Sequence, residues 1–385
     1  MHVDIHVLQS YGLGNLNRDN LGDPKEAPFG GVRRARISSQ CQKRAARTYN
    51  ANGHDNGTVR TRRSHQRVAE KLIESGVNED RARAAARATL SAALNSGAID
   101  QDPERQLLFL TADEIAALAD AAMKHLDTIA PADGSEPTSK KVPELNKAFA
   151  GIIKNPTVRA RDLALYGRMI AADNAEDRHE SSLFVSHALS THEIADEVDW
   201  FSAVDDLAPT DDASGVAAAH IGELGMNAST FYRHASIDAE QLLTNLDGDR
   251  NAARDAIDSF VKGFVLSVPS GKQHATAATG APSLVLIEVR EGSRSYVNAF
   301  ENPVAPTNGA LIPSVEHLDA FIGRAQSMWG DEGCTWAGWA TDLDVDLPAL
   351  KSVGGDPQKF SDIVEGAKNA AVAKDLAADD DEAEA

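Results

Sequence analysis

Apolar and polar residues alternate at the start of the chain. Residues 3–7 (Val-Asp-Ile-His-Val) follow a period of two, which predicts a half-buried β-strand. A loop rich in Gly, Asn, Asp and Pro follows over residues 9–31, and alternation resumes over residues 32–37. Two serines then offer a cap for a predicted helix over residues 40–49. The pattern therefore predicts a strand, a long loop, a second strand and a helix.

The pattern becomes helical between about residues 60 and 169, where Ala and Arg are frequent. Residues 111–114 (Thr-Ala-Asp-Glu) form a capping-box pattern before a stripe of apolar residues at helical spacing. This stripe consists of Ile115, Leu118, Ala119, Ala122 and Leu126. A linker over residues 131–143 separates it from another predicted helix over residues 144–154. The simplest interpretation is a helical insertion.

Mixed structure returns after residue 182. Residues 183–191 predict more of the sheet, and residues 284–289 predict an apolar central strand. Residues 250–266 predict an amphipathic helix, and residues 193–220 are acidic and poorly periodic, as expected of a projecting excursion. The inward face of that helix consists of Ile257, Phe260, Val261 and Phe264. We expect an α+β core with a ferredoxin-like or RRM-like sheet, whose strand order periodicity does not fix.

The composition is that of a globular protein, since 42% of the 385 residues are apolar and 25% are charged. The length predicts two or three compact units. No apolar run reaches the roughly 18–20 residues that span a bilayer, and no apolar segment follows Met1 as in a secretion signal. We therefore expect a cytoplasmic protein with no membrane partner. Cys41 and Cys334 are too few for a disulfide framework or a four-thiolate zinc site.

The formal net charge of −20 argues against a nucleic-acid partner until its distribution is considered. Residues 1–67 contain 12 Lys or Arg against 5 Asp or Glu, whereas residues 377–385 form an acidic tail. Within the basic region, Gln40, Lys43 and Arg47 share one face of the predicted helix. These side chains, the serine hydroxyls and the amides of a helix start suit phosphate oxygens. A solvated charged face is the alternative.

Two further features allow other kinds of site. Gly271-Lys272 lacks the upstream Gly and the following Ser or Thr of a P-loop. These residues could instead form a polar loop that meets RNA or a neighbouring protomer, or a plain turn, and the sequence leaves both interpretations open.

His187 and His192, with the acidic run over residues 196–212, suggest a metal-dependent nuclease, but no carboxylate clearly completes a metal triad. We predict neither a metal site nor a catalytic residue.

Trp200 and Phe201 are two large aromatics in an acidic segment. They fit a core, and they fit equally well a hairpin whose aromatic side chain wedges between bases or stacks on them. The sequence leaves both interpretations open.

Seven motifs occur in order along the chain. They are Ile5-His6-Val7-Leu8, Leu16-Asn17-Arg18-Asp19, residues 29–45, Tyr166-Gly167-Arg168-Met169, residues 199–207 (DWFSAVDDL), Phe231-Tyr232-Arg233 and Val297-Asn298-Ala299-Phe300-Glu301. Together they resemble the CasC family, the repeated backbone subunit of the type I-E CRISPR surveillance complex Cascade. The match covers roughly residues 3–300. Each motif alone is weak, but the combination is specific.

The resemblance implies a hand-shaped subunit. Its RRM-like palm would comprise residues 1–59, 183–190 and 231–385, with an acidic tail from about residue 375, its helical fingers residues 60–182 and its thumb hairpin residues 191–230. Copies would stack head to tail along CRISPR RNA, with other Cascade subunits, and present the guide to target DNA in antiviral defence. The protein would be non-catalytic and need no metal or organic cofactor. The rival hypothesis is a metal-dependent CRISPR-associated endoribonuclease.

The family's site residues carry over by position. Contacts to the guide backbone are expected from Arg18, Lys25, Ser38, Gln40, Lys43 and Arg47. The apolar wedges near a displaced nucleotide would be Met169 and Phe201, with Trp200 beside them. Duplex DNA would meet Lys140, Lys141 and Lys147. Pro143 lies between these lysines and departs from the continuous helix of the family.

Overall fold

The computed structural model describes most of the chain as two compact units. The described residues are 1–49, 58–93, 107–132, 151–152, 160–169, 178–195, 197–204, 218–330 and 333–373. The first unit comprises Met1–Asn52, Leu183–Ala239 and Ile257–Ala385, and the second comprises Gly53–Ser182 and Glu240–Ala256. Helices and strands are mixed, so the predicted α+β class is confirmed. The palm, fingers and thumb boundaries stay a prediction, and the acidic tail lies outside the described residues.

Strands occur throughout the described part of the chain and are numbered here in chain order. They are β1 His2–Gly14, β2 Glu26–Phe29, β3 Val32–Ile37, β4 Thr58–Thr61, β5 Leu108–Thr111, β6 Arg168–Met169, β7 Arg178–His179, β8 Leu183–Val185, β9 Ala188–Ser190, β10 Glu197–Val204, β11 Ala218–Asp238, β12 Leu284–Arg290 and β13 Cys334–Thr341.

The helices lie between these strands. They are α1 Ser39–Tyr49, α2 Ser64–Glu74, α3 Glu79–Ala93, α4 Ala112–Lys124, α5 Leu126–Ile129, α6 Arg161–Tyr166, α7 Ala239–Asn245, α8 Arg250–Leu266, α9 Gln273–Thr276, α10 Leu311–Trp329, α11 Pro348–Gly354 and α12 Phe360–Ala371, with a 3-10 helix at Val297–Phe300. Across the described ranges, none of them is long and apolar enough to cross a membrane.

One antiparallel sheet organises the first unit. Its order is β13-β12-β1-β11-β9-β3-β2, and β8 and β10 also pair with β11. β1 lies between β11 and β12, so that His6 pairs with His234 on one side and with Leu286 on the other. The core beside β1 and β12 packs against α10 and α11 through Leu318, Leu350 and other apolar side chains.

β1 is buried on both of its faces, so the prediction of a half-buried strand is wrong. Asp4 and His6 are as inaccessible to solvent as the apolar residues between and beside them. The alternation misled because polar side chains on β1 meet polar partners on β11 and β12, which are far away in sequence. A buried polar residue with such partners is stable in a core, where an unpartnered one would not be.

Several local predictions for the first unit are confirmed. β3 has the predicted bounds, and α1 begins at Ser39, where Ser38 Oγ accepts a hydrogen bond from the Cys41 N–H at 3.3 Å. β12 is buried along its whole length. The predicted inward face of α8 is buried.

In the second unit, α2, α3 and α4 pack around an alanine-rich core. The predicted capping box is present at the start of α4: Thr111 Oγ1 accepts from the Glu114 N–H at 3.0 Å, and Glu114 Oε2 accepts from the Thr111 N–H at 2.8 Å. The other oxygen of Glu114 accepts from Arg168 at 2.7 Å in a buried ion pair. Most of the predicted linker and of the helix after it lies outside the described residues.

Candidate RNA-binding site

An open groove of about 720 Å³ lies beside the start of α1 in the first unit. Three segments form it: the loop after β1, the first turns of α1 and the loop between α8 and α9. The lining residues are Leu16, Asn17, Arg18, Asp19, Asn20, Leu21, Gly22, Ser38, Gln40, Cys41, Arg44, Ser270 and Gly271. We call this feature the α1 groove.

Asparagine side chains hold the loop after β1 in place. Asn17 Oδ1 accepts a hydrogen bond from the Ser38 N–H at 2.8 Å, which ties the loop to the start of α1. The buried Asn15 donates from Nδ2 to Gly22 O and to Gly225 O, both at 2.9 Å. Because Gly225 belongs to β11, one amide joins the wall of the groove to the strand that carries the β10–β11 hairpin.

The electrostatics of the α1 groove favour an anion. Asp19 Oδ1 accepts from the backbone N–H groups of three residues that follow it, so this carboxylate stabilises the loop. Arg18 and Arg44 are exposed, and within the described residues neither guanidinium forms an ion pair. Two available guanidinium groups next to a helix N-terminus suit phosphate oxygens.

The structure brings together part of the predicted phosphate-binding set. Arg18, Ser38 and Gln40 line the α1 groove, whereas Lys25, Lys43 and Arg47 are not among its lining residues. Gln40, Lys43 and Arg47 do occupy α1 as predicted, but Lys43 Nζ donates to Leu183 O at 3.2 Å. Burial lowers the pKa of Lys43. Its ammonium is therefore partly engaged by the protein itself.

Sequence reasoning missed Arg44 and left the Gly271 loop undecided. Arg44 lies in the same basic stretch as Lys43, and only the phase of the helix decides which of them faces the groove. The Gly271 loop lines the groove, and a Cβ on Gly271 would collide with Leu16 O. Glycine is needed there for the two loops to approach each other.

Arg233 positions α1 against the sheet. It is buried and donates to the side-chain oxygens of Gln9 on β1 and Gln42 on α1, and to Phe264 O on α8. Gln42 also donates to Ser186 O at 2.8 Å. The arginine of the Phe-Tyr-Arg motif thus has a structural role, since it connects one strand to the two helices that flank the groove.

The aromatic pair lies on the β10–β11 hairpin and is exposed. Trp200 is 64% exposed and Phe201 43%, so the core interpretation of these residues is wrong. Trp200 Nε1 donates to Glu223 Oε1 at 3.1 Å across the strand pair. Met169, the other predicted wedge, belongs to β6 in the second unit. The predicted DNA-binding residues Lys140, Lys141 and Lys147 lie outside the described residues.

The two histidines considered for a nuclease have other partners. His187 Nδ1 lies 3.3 Å from Arg36 Nη1, and burial together with the charges of Arg36 and Lys25 lowers the pKa of His187. His192 Nε2 accepts from the Thr230 N–H at 3.2 Å. His187 therefore lies beside a cation, and His192 accepts from a backbone amide. Both arrangements fit structural roles for these histidines.

Comparison with known proteins identifies the family. A profile of the CT1975-like protein family matches residues 3–365. No curated protein matches. Among solved structures, a chain of a "CRISPR RNA-guided surveillance complex, pre-nicking" is 32% identical with a TM-score of 0.83. A chain of a "CRISPR RNA-guided surveillance complex" is 27% identical with a TM-score of 0.73, and each alignment covers 96% of this chain and 100% of the other.

These matches extend over nearly the whole chain, well beyond the seven short motifs. The resemblance inferred from the motifs is confirmed. The chain belongs to the CT1975-like protein family.

Proposed function

We propose that this chain is the CRISPR-RNA-binding backbone subunit of a type I-E Cascade surveillance complex. It would polymerise along the guide RNA and present it to target DNA in antiviral defence. The observation that carries the proposal is the likeness, over 96% of the chain and at a TM-score of 0.83, to a subunit of a CRISPR RNA-guided surveillance complex.

The α1 groove is the proposed site for the guide backbone. Arg18 and Arg44 contact phosphates, and Ser38 and Gln40 add hydrogen bonds at the helix start. Lys25, Lys43 and Arg47 are proposed to meet flanking nucleotides. Such contacts position the RNA without recognising its sequence, as a subunit that accepts any guide requires.

The remaining parts of the hand-shaped subunit are proposed from the same likeness. The sheet of the first unit is the RRM-like palm, the second unit is the helical fingers and the β10–β11 hairpin is the thumb. The exposed Phe201, with Trp200 beside it, wedges at a displaced nucleotide, where aromatic stacking contributes about 1–3 kcal/mol per base. Met169 is proposed as a second wedge on the strength of the resemblance alone. Lys140, Lys141 and Lys147 are proposed to meet target DNA.

A non-catalytic role fits the groove better than RNA cleavage. Its carboxylate, Asp19, is held by three backbone N–H groups and caps its own loop. Copies of the chain are proposed to associate head to tail, an arrangement that produces a filament whose length the RNA determines.

Guide length provides the test. The full chain is co-expressed with the other Cascade subunits and with CRISPR RNAs of two guide lengths, and native mass spectrometry counts its copies in each particle. We expect more copies on the longer guide. An equal copy number on both guides, or particles that form without this chain, would contradict the proposal. Incubation of the isolated chain with labelled RNA and Mg²⁺, with and without chelator, tests the endoribonuclease alternative.

A further inference from the structure

Four ionisable side chains form a buried cluster within the sheet of the first unit. Asp4 and His6 belong to β1, His234 to β11 and Glu288 to β12, and all four are at most 5% exposed. The strand register brings them together, because His6 pairs with His234 and Asp4 pairs with Glu288. None of them lines the α1 groove.

The donor atoms of the cluster have the spacing of metal ligands. His6 Nε2 lies 3.2 Å from Glu288 Oε2, and His234 Nε2 lies 3.6 Å from Asp4 Oδ1. Ligand atoms of Asp4, His6 and His234 lie within 4.8 Å of one another. A tetrahedral ion with bonds of about 2.1 Å separates its ligand atoms by about 3.4 Å, close to the 3.6 Å between His234 Nε2 and Asp4 Oδ1.

Three atoms of the cluster are buried and form no hydrogen bond: His6 Nε2, His234 Nε2 and Glu288 Oε2. Each lies within ion-pair distance of an opposite group, since His6 Nε2 is 3.2 Å from Glu288 Oε2 and His234 Nε2 is 3.6 Å from Asp4 Oδ1. Buried polar atoms are nearly always hydrogen-bonded, so three such atoms in one cluster are unusual. A cation bound by the two imidazoles satisfies both of their Nε2 atoms.

Hydrogen bonds hold the same side chains in place. His6 Nδ1 bonds Tyr232 Oη at 2.8 Å, and His234 Nδ1 bonds Ser186 Oγ at 3.2 Å. Both oxygens of Asp4 accept, Oδ1 from Ser293 Oγ at 2.8 Å and Oδ2 from the Arg294 N–H at 2.6 Å, and Glu288 Oε1 accepts from Tyr296 Oη at 3.1 Å. Such outer partners fix the orientation of ligands in protein metal sites.

We propose that Asp4, His6 and His234 bind one divalent transition-metal ion beside Glu288, and that Zn²⁺ is the ion that fits. Two imidazoles and one carboxylate supply three of its ligands, and imidazole nitrogen and carboxylate oxygen are both donors that Zn²⁺ accepts. The ion joins β1 to β11. Because the ligands come from two distant parts of the sequence, only the folded unit binds the ion, and binding stabilises the fold.

The first test measures metal content. The full chain is purified without chelator from zinc-supplemented cells, and metals are quantified by inductively coupled plasma mass spectrometry. We expect about one Zn²⁺ per chain, and at least a tenfold loss in His234→Gln and in Asp4→Asn. His192→Gln is the control, because it changes a buried histidine outside the cluster and should keep the zinc.

The second test does not depend on variants that fold. Wild-type protein is unfolded with chelator and refolded with Zn²⁺, Co²⁺, Mg²⁺ or no metal. We expect one equivalent of Co²⁺ to produce the visible absorption of a tetrahedral site, and Zn²⁺ but not Mg²⁺ to raise the melting temperature. Less than about a tenth of an ion per chain in the first test, together with equal melting temperatures in the second, overturns the proposal. Neither test involves RNA, so its outcome is independent of the proposed function.

Discussion

Phe201 lies over Gly222 on the paired strand, where a Cβ would come within 2.5 Å of Phe201 Cζ. The ring is thus supported by the hairpin while much of it stays exposed. We predict that Phe201→Ala leaves the melting temperature nearly unchanged, because no core is lost, and abolishes the regular pattern of chemical reactivity along the assembled guide.

The matched control is Phe231→Ala, since Phe231 is 2% exposed in the same sheet. Its removal should cost about 3–5 kcal/mol of unfolding free energy. Thermal melts of both variants and chemical probing of the guide make the comparison. A large thermal penalty for Phe201→Ala with an unaltered reactivity pattern would show that this ring is not a wedge.

Arg18→Ala combined with Arg44→Ala should remove two phosphate contacts. The slope of log affinity against log salt should then fall by about 1.4 for single-stranded RNA, equally for unrelated sequences. The Lys43 ammonium donates to Leu183 O, so Lys43→Ala should change this slope less. Titrations at several salt concentrations measure these slopes. Arg324→Ala with Lys351→Ala removes the same charge from exposed sites outside the groove, and an equal fall in this control would contradict the assignment.

Asn15→Ala should both destabilise the first unit and weaken RNA binding. It leaves two carbonyl oxygens, Gly22 O and Gly225 O, without their donor, at a cost of about 1–3 kcal/mol. Denaturant unfolding and RNA titration give the two effects. Asn20→Ala, an exposed position in the same loop, should change stability by less than about 0.5 kcal/mol. If both variants behave alike, Asn15 does not anchor the loop.

Cys41 gives a chemical footprint of the α1 groove. Burial raises the pKa of its thiol above the ordinary value of 9.0, so the reactive thiolate is scarce at neutral pH. In a Cys334→Ser background, the rate of alkylation should still be rising as the pH passes 9, and bound single-stranded RNA should slow it. Mass spectrometry of the labelled protein follows the reaction. A rate that levels off below pH 9 would contradict the raised pKa, and a rate unaffected by RNA would place the RNA elsewhere.

Features that depend on neighbours in sequence could be predicted. The start of α1 and the capping box at Thr111 require side chains within a few residues of the backbone groups that they satisfy. The inward face of α8 follows from helical periodicity alone. The seven motifs added the family and, with it, Arg18, Ser38 and Gln40 in the groove.

Features that depend on strand register could not be predicted. Asp4 and His6 share one face of a strand by their spacing, but nothing in the sequence indicates that His234 and Glu288 arrive beside them. The same strand pairing explains why polar residues of β1 are buried. The fate of Lys43 depends in the same way on Leu183, which lies 140 residues away.

The position of β1 in the sheet also affects how the protein folds during synthesis. β1 pairs with β11 and β12, and on a ribosome that adds about 5–20 residues per second it waits on the order of 15–50 s for β12 to be made. Helices α2–α6 are translated within this interval and bury apolar side chains through mostly local contacts. β1 meanwhile has no partner until β11 is made and keeps one edge open until β12 is made, and a strand with a free edge invites association with other chains. Nascent chains should therefore need a chaperone until β12 is made, and pauses in translation between β1 and β12 should lower the yield of folded subunit.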